Sequence, residues 1–351
     1  MQSSEISSSL IEVDLGEAPV ALDWSSCGRW VAAINVDGAA VLIDTTNGNS
    51  VKRFVAHAAG GLALAWHPQL PLLATSCRDG EVKIWQISSD SVASALSTLD
   101  LEPCSRSRWV ELLSWRPDGK QLALAINDKT ILVSVEGEIE GSFIFPGGTV
   151  AALNWRPNGT LLGIAGYGGI IIHNGLDPLS EPINLKWKGS LLSLSWSPDG
   201  SYIVAGCQDN TVHLWRFRSQ QDAQMSGFSY KPLQLSWVDR GKRLLTSGIS
   251  DLVMWPFDRK GPEGRSPETR SFHEKPISAV AVASNGKTIA SGCRNGSVAI
   301  WKSSRDLAPI ASTEIESRVE FLAWSPKKGE KWLAFAGRQG VLRVLDASEV
   351  F

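Results

Sequence analysis

Three of the five cysteines, Cys77, Cys207 and Cys293, stand two residues ahead of a turn residue, Asp79, Asp209 or Asn295. Thiolates in a fixed register suggest metal ligation, yet sulfur ligands must converge to about 2.3 Å from one zinc ion. These three recur in separate, equivalent stretches of chain, so they read as small buried thiols. The five histidines, His57, His67, His173, His213 and His273, could each act as a base or a nitrogen ligand. Their positions follow the repeat described below, which favours structural roles. The sequence contains no GxxxxGK(S/T) phosphate loop, no HExxH, no GxSxG and no CxxC. The glycine run GYGGI from Gly166 has no following helix to bind phosphate and reads as a turn. No catalytic residue, metal site or cofactor is expected.

The elements that position these residues are short strands in a repeat. Seven of the 15 tryptophans share one local context: DWSSCG at Trp24, AWHPQL at Trp66, SWRPDG at Trp115, NWRPNG at Trp155, SWSPDG at Trp196, SWVDRG at Trp237 and AWSPKKG at Trp324. An eighth copy, VASNG, puts Val282 in the Trp position. The intervals of 42, 49, 40, 41, 41, 45 and 42 residues match a four-stranded propeller blade. Within one unit, SLSW alternates apolar with polar residues, Pro198-Asp199-Gly200 turns, and YIVAGC and TVHLWRF flank a second tight turn. Strands of this length, punctuated by Gly, Pro, Asp and Asn, leave no room for the 3.6-residue apolar stripe of a helix.

Units such as SWSPDGSYIVAGCQDNTVHLWRF resemble those of the WD-repeat family, and the likeness covers nearly the whole chain. The resemblance implies an all-β β-propeller of four-stranded antiparallel blades, and the eight first-strand markers make it eight-bladed, a single domain over residues 1–351. In that family a His, a Ser or Thr, a turn Asp and a Trp form a hydrogen-bonded set. The resemblance carries these roles onto His57, Thr75, Asp79 and Trp85 in blade 2 and onto His273, Ser291, Asn295 and Trp301 in blade 7; blade 5 keeps Asp209 and Trp215. The Trp-Asp pair itself is eroded, since Asp44 and Asp346 follow Ile43 and Leu345. LIEVDL, residues 10–15, precedes the first marked strand and would complete the last blade, removing an open sheet edge. The alternative is seven blades and a decayed unit.

Hydrophobic content of 43% and a net charge of −2 place the chain among globular proteins with a sizeable core and no global pull toward nucleic acid or anionic membrane. An odd set of dispersed cysteines reads as reduced thiols in a cytoplasm. The N-terminal residues lack a basic region followed by an apolar run, and no stretch is apolar enough for a spanning helix. The sequons at Asn158 and Asn295 read as turns.

Function must therefore lie on the surface. By analogy with the family, the residues opening each hairpin turn share one face with the interblade loops: Val36, Arg78, Asn127, Tyr167, Gln208, Ile249, Arg294 and Arg338. The loops add Arg106, Arg108, Trp109, Lys188, Tyr230, Lys231, Lys275 and Arg318, against only Glu17, Glu274 and Glu316. This basic, aromatic face suits an acidic segment of a partner protein, because Arg, Tyr and Trp are enriched at interface hot spots. The expected function is a non-catalytic protein-protein interaction scaffold, a monomer or part of a hetero-complex, binding neither nucleic acid nor membrane. The alternative is a metal-dependent hydrolase or lactonase using the central channel. There the first strands offer only Asp23, Glu111 and Asn154, too few for a site. Two polar stretches, residues 258–270 and 219–227, read as flexible excursions, the former a second candidate surface.

Overall fold

The second strand of a repeat unit is buried on both faces. Trp30–Asn35, Leu72–Cys77, Gln121–Ile126 and Thr288–Cys293 are buried at every position. Such a strand must satisfy its backbone on both edges. Leu72–Cys77 accordingly pairs antiparallel with Gly61–Trp66 on one side and with Glu81–Ile87 on the other. Val92–Asp100 completes that sheet. Outer strands such as Ser50–Val55 are largely exposed. The computed structural model describes residues 4–5, 10–46, 50–88, 92–101, 108–157, 159–258, 261–304, 306–327 and 332–348. A short 3-10 turn, Asp239–Gly241, interrupts the strands, and among the described residues no helix is long and apolar enough to cross a membrane.

The strands form seven hydrogen-bonded sheets arranged as an all-β propeller. One sheet has six strands because it carries two repeat units. Leu161–Asn174 and Ile183–Trp196 are each 14 residues long, and each serves as two blade strands. The first folds back as a hairpin, with Gly175 N–H donating to Thr160 O at 2.8 Å. The second pairs with blade 4 up to Ser190 and with Tyr202–Cys207 of blade 5 from Leu191 onward. Counted by innermost strands, the units neighbour one another in an unbroken cycle of eight, and the blades are numbered on that basis. The buried apolar residues form eight clusters, one at each blade-to-blade interface.

The tryptophans that mark the repeat also bind it together. The indole N–H groups of Trp66, Trp115, Trp155 and Trp196 donate to the carbonyls of Asp23, Ala65, Ser114 and Asn154 at 2.9–3.2 Å. Each acceptor precedes the corresponding Trp of the preceding blade. Trp24 donates to Ala323 O at 2.9 Å, closing the ring. The N-terminal strand Leu10–Asp14 pairs antiparallel with Val341–Asp346 and completes blade 8, as expected. Unanticipated is Ser4–Glu5, which lies parallel to Ala311–Glu314 on blade 7.

Two expectations are corrected. Of the stretch 258–270, the described residues are not a free excursion, since Arg265 pairs with Asp258 at 2.7 Å, Glu263 with Arg216 at 2.6 Å and Glu268 with Arg243 at 2.8 Å. The segment ends as the outer strand of blade 6, Glu268–Arg270, where the buried Arg270 donates to Lys302 O at 2.6 Å. Residues 219–227 likewise supply the outer strand of blade 5, Asp222–Met225, with Met225 buried. Both are polar because an outer strand faces water.

Candidate functional site

Antiparallel succession places the turn between a blade's second and third strands at the same end as the loop entering its first strand. Glycine fixes this contact. Gly38 has φ of +85°, and a Cβ there would lie 2.1 Å from His57 O in the next loop. Its own carbonyl accepts from Ala56 N–H at 2.9 Å. Gly296 repeats the arrangement with φ of +96° and Ile315 O at 1.8 Å. Each turn is thus locked against the following loop, and together they make one face.

On that face the Arg78 guanidinium lies over the Trp109 ring at 5.7 Å, and Arg294 over Tyr230 at 4.5 Å. Both rings are exposed, at 46% and 44%. Arg338 is exposed on the turn of blade 8, so the three arginines fall on blades 7, 8 and 2 with Val36 of blade 1 between them. None of the three pairs with a carboxylate among the described residues. Lys231 is exposed beside Tyr230. Arg108 is half-buried and donates to Leu101 O at 3.1 Å, so it braces the loop as well as lining the face. Arg106 lies outside the described residues.

Tyr167, 62% exposed on the turn of blade 4, belongs to a separate feature. An open groove of about 970 Å³ is lined by residues 145–147, 167–171 and 184–188. Its walls are mainly apolar, and its only charged lining groups are Lys186 and Lys188, both exposed. Trp187 is held beneath by stacking on His213 at 3.8 Å. Of these residues the sequence had drawn attention to Tyr167 and Lys188 as face residues and to the GYGGI run from Gly166 as a turn. The signal it contained was the pair of facing glycine turns, Gly147-Gly148 and Gly168-Gly169. A Cβ at Gly168 would meet nothing within 4 Å, so the missing side chain is part of the opening.

The histidine networks sit behind this face. In blade 2, Thr75 Oγ1 accepts from Trp85 Nε1 at 2.8 Å and contacts His57 Nε2 at 2.8 Å. In blade 7, Ser291 Oγ accepts from Trp301 Nε1 at 2.8 Å and contacts His273 Nε2 at 2.7 Å. The fourth member differs from the one carried over from the resemblance. His57 Nδ1 meets Glu81 at 3.0 Å, and His273 Nδ1 meets Ser297 at 3.2 Å. Asp79 and Asn295 instead accept from the thiols of Cys77 and Cys293, at 2.5 and 2.6 Å. Burial, unrelieved by any charge, pushes His273 down to about 4 and keeps it neutral.

Ligand atoms of His57, Cys77 and Glu81 do lie within 4.8 Å of one another. Each is already engaged, since Glu81 also pairs with Lys83 at 2.8 Å, and burial with the neighbouring Asp79 raises the Cys77 thiol to about 11. The same geometry recurs in blade 7 with uncharged partners. On the innermost strands, Asp23 and Asn154 accept from the backbone N–H groups of Trp24 and Trp196 at 2.8 and 3.0 Å.

Two family models match the chain. The model described as WD domain, G-beta repeat matches residues 184–216 and 265–302, and that of the anaphase-promoting complex subunit 4 WD40 domain matches residues 64–139. Similar curated proteins include cell division cycle 20.1, cofactor of APC complex, from Arabidopsis thaliana, 29% identical over 39% of this chain and 30% of that protein. A ribosome biogenesis protein WDR12 homolog from Chlamydomonas reinhardtii is 28% identical over 81% of this chain and 63% of that protein. The chain thus spans less than two thirds of the length of either. Among solved structures, the C-terminal WD40 domain of Sif2 superposes with a TM-score of 0.75 at 17% identity, over 97% of this chain and 98% of that one.

Proposed function

Because the chain is a WD-repeat β-propeller, we propose that it acts as a non-catalytic scaffold that docks a partner protein on the face formed by its hairpin turns and interblade loops. The observation that carries this reading is the pairing of Arg78 with Trp109 and of Arg294 with Tyr230. A guanidinium laid over an exposed ring presents rigid area and an unspent charge together, which is the chemistry of an interface hot spot. With Arg338 and Lys231, the face suits an acidic protein segment. The relative described as a cofactor of the APC complex supports work within an assembly. A net charge of −2 favours a protein partner over nucleic acid, and the unpaired cysteines Cys27, Cys77, Cys207 and Cys293 suit a reducing cytoplasm.

Amine-reactive crosslinking of the tagged protein to whatever it captures tests the reading. Crosslinks from Lys231 and Lys275, exposed on this face, are expected. Crosslinks confined to Lys120, Lys242 and Lys287, at the opposite ends of the blades, would place the partner elsewhere.

A further inference from the structure

We propose that the groove on blade 4 receives a linear acidic peptide segment, its apolar anchor seated between Tyr167 and the 145–147 loop and its carboxylates on Lys186 and Lys188. This rests on the reading of the turn and loop face as the binding face, and it names the chemistry of what that face takes. A volume of about 970 Å³ is at the upper end of ordinary ligand sites and is open along one side, which suits an extended chain.

Three observations converge on this occupant. The lining is apolar apart from two lysines and contains no acidic side chain, so its field has one sign. Lys186 and Lys188 are both exposed and engage no carboxylate among the described residues, so their charge is open to a ligand. The walls are preformed. Gly147 is pressed against Tyr167 O, where a Cβ would stand 1.9 Å away, and Gly168 and Gly169 hold φ of +95° and +130°. A site fixed by backbone contacts loses little freedom when filled. Alternating lysines on one outer strand, with the intervening Trp187 turned inward against His213, present two charges on a single side.

The test is selection of random peptides displayed on phage against the whole protein, followed by anisotropy titration of a labelled selected peptide. Selected sequences should be rich in Asp and Glu beside an aromatic or large aliphatic residue. Their affinity should fall about tenfold or more in K186E/K188E, weaken with added salt, and stay unchanged in R78E/R294E/R338E. Both lysines are exposed, so an unaltered melting curve separates lost binding from lost fold. The proposal is overturned if no peptide is selected, if acidic residues are not enriched, or if K186E/K188E binds as well as the wild type. Binding lost only with the arginine variant would overturn the groove while supporting the wider face. Peptide binding lost with the lysine variant, with whole-partner capture indifferent to the arginines, would keep the groove and remove the arginine patch.

Discussion

Ser291→Ala should be among the most damaging single-atom deletions in the protein. The hydroxyl is fully buried and accepts from the Trp301 indole at 2.8 Å while contacting His273 Nε2 at 2.7 Å. Because the indole can only donate, the serine proton is free to pass to the imidazole, and the ring's remaining N–H faces Ser297 Oγ at 3.2 Å. Removing the hydroxyl strands two buried polar groups, each costing about 1–3 kcal/mol. Urea unfolding should therefore show a loss of about 2–6 kcal/mol. Ser291→Thr supplies the control, since Thr75 performs the same task in blade 2. It should cost little. A loss under about 0.5 kcal/mol for the alanine variant, or equal losses for both, would refute the reasoning. The same network sets a pH dependence. His273 is held at about 4, below its ordinary 6.5, so only the unfolded chain takes up this proton between those values. Its contribution is intact above about pH 6.5 and is lost as pH falls toward 4, by about 3 kcal/mol in total. His273→Gln should flatten that slope in unfolding measured across pH 4–7.

Arg270→Met should destabilise by about 3 kcal/mol in urea, because it removes a buried cation from Glu268 and from the Lys302 and Ser304 carbonyls. A neutral result would mean the 258–270 segment is not held as described. Asp23 is exposed on the innermost strand, yet the protein enclosing it pushes its carboxyl up to about 6. Since the folded form holds the proton more tightly, stability from this group is present below about pH 4 and lost as pH rises through 6. Asp23→Asn, the residue blade 4 carries at the same register as Asn154, should leave the melting temperature unchanged at pH 4 and raise it at pH 8. Equal curves at both values would show that the carboxyl titrates as if free in water.

The parts of the fold legible in the sequence are those whose cause is local. Second strands such as Leu72–Cys77 are buried by neighbours on both sides, so they write runs of apolar and small residues ahead of a glycine turn. Outer strands write no such pattern. Asp222–Met225 and Glu268–Arg270 are recognisable only from their pairing with the third strand. The histidine partners failed for a related reason. Asp79 and Glu81 both lie within reach of His57, and the choice falls to the Cys77 thiol, which takes Asp79. The arginine-aromatic pairs join residues far apart in the chain, Arg78 with Trp109 and Arg294 with Tyr230. Their types and common face could be read, but not their stacking. The groove was hidden because it is built from missing side chains, which in sequence say only that the chain turns.

The central claim, that a partner docks on the turn and loop face, is tested most directly by comparing two charge reversals at opposite ends of the same blades. R78E/R294E/R338E changes the proposed face, and K120E/K242E/K287E changes the other by the same net charge. Recovery of a protein captured by the wild type should fall about tenfold or more with the first and hold with the second, at equal melting temperature. Equal recovery with both, or loss only with the second, would contradict the account.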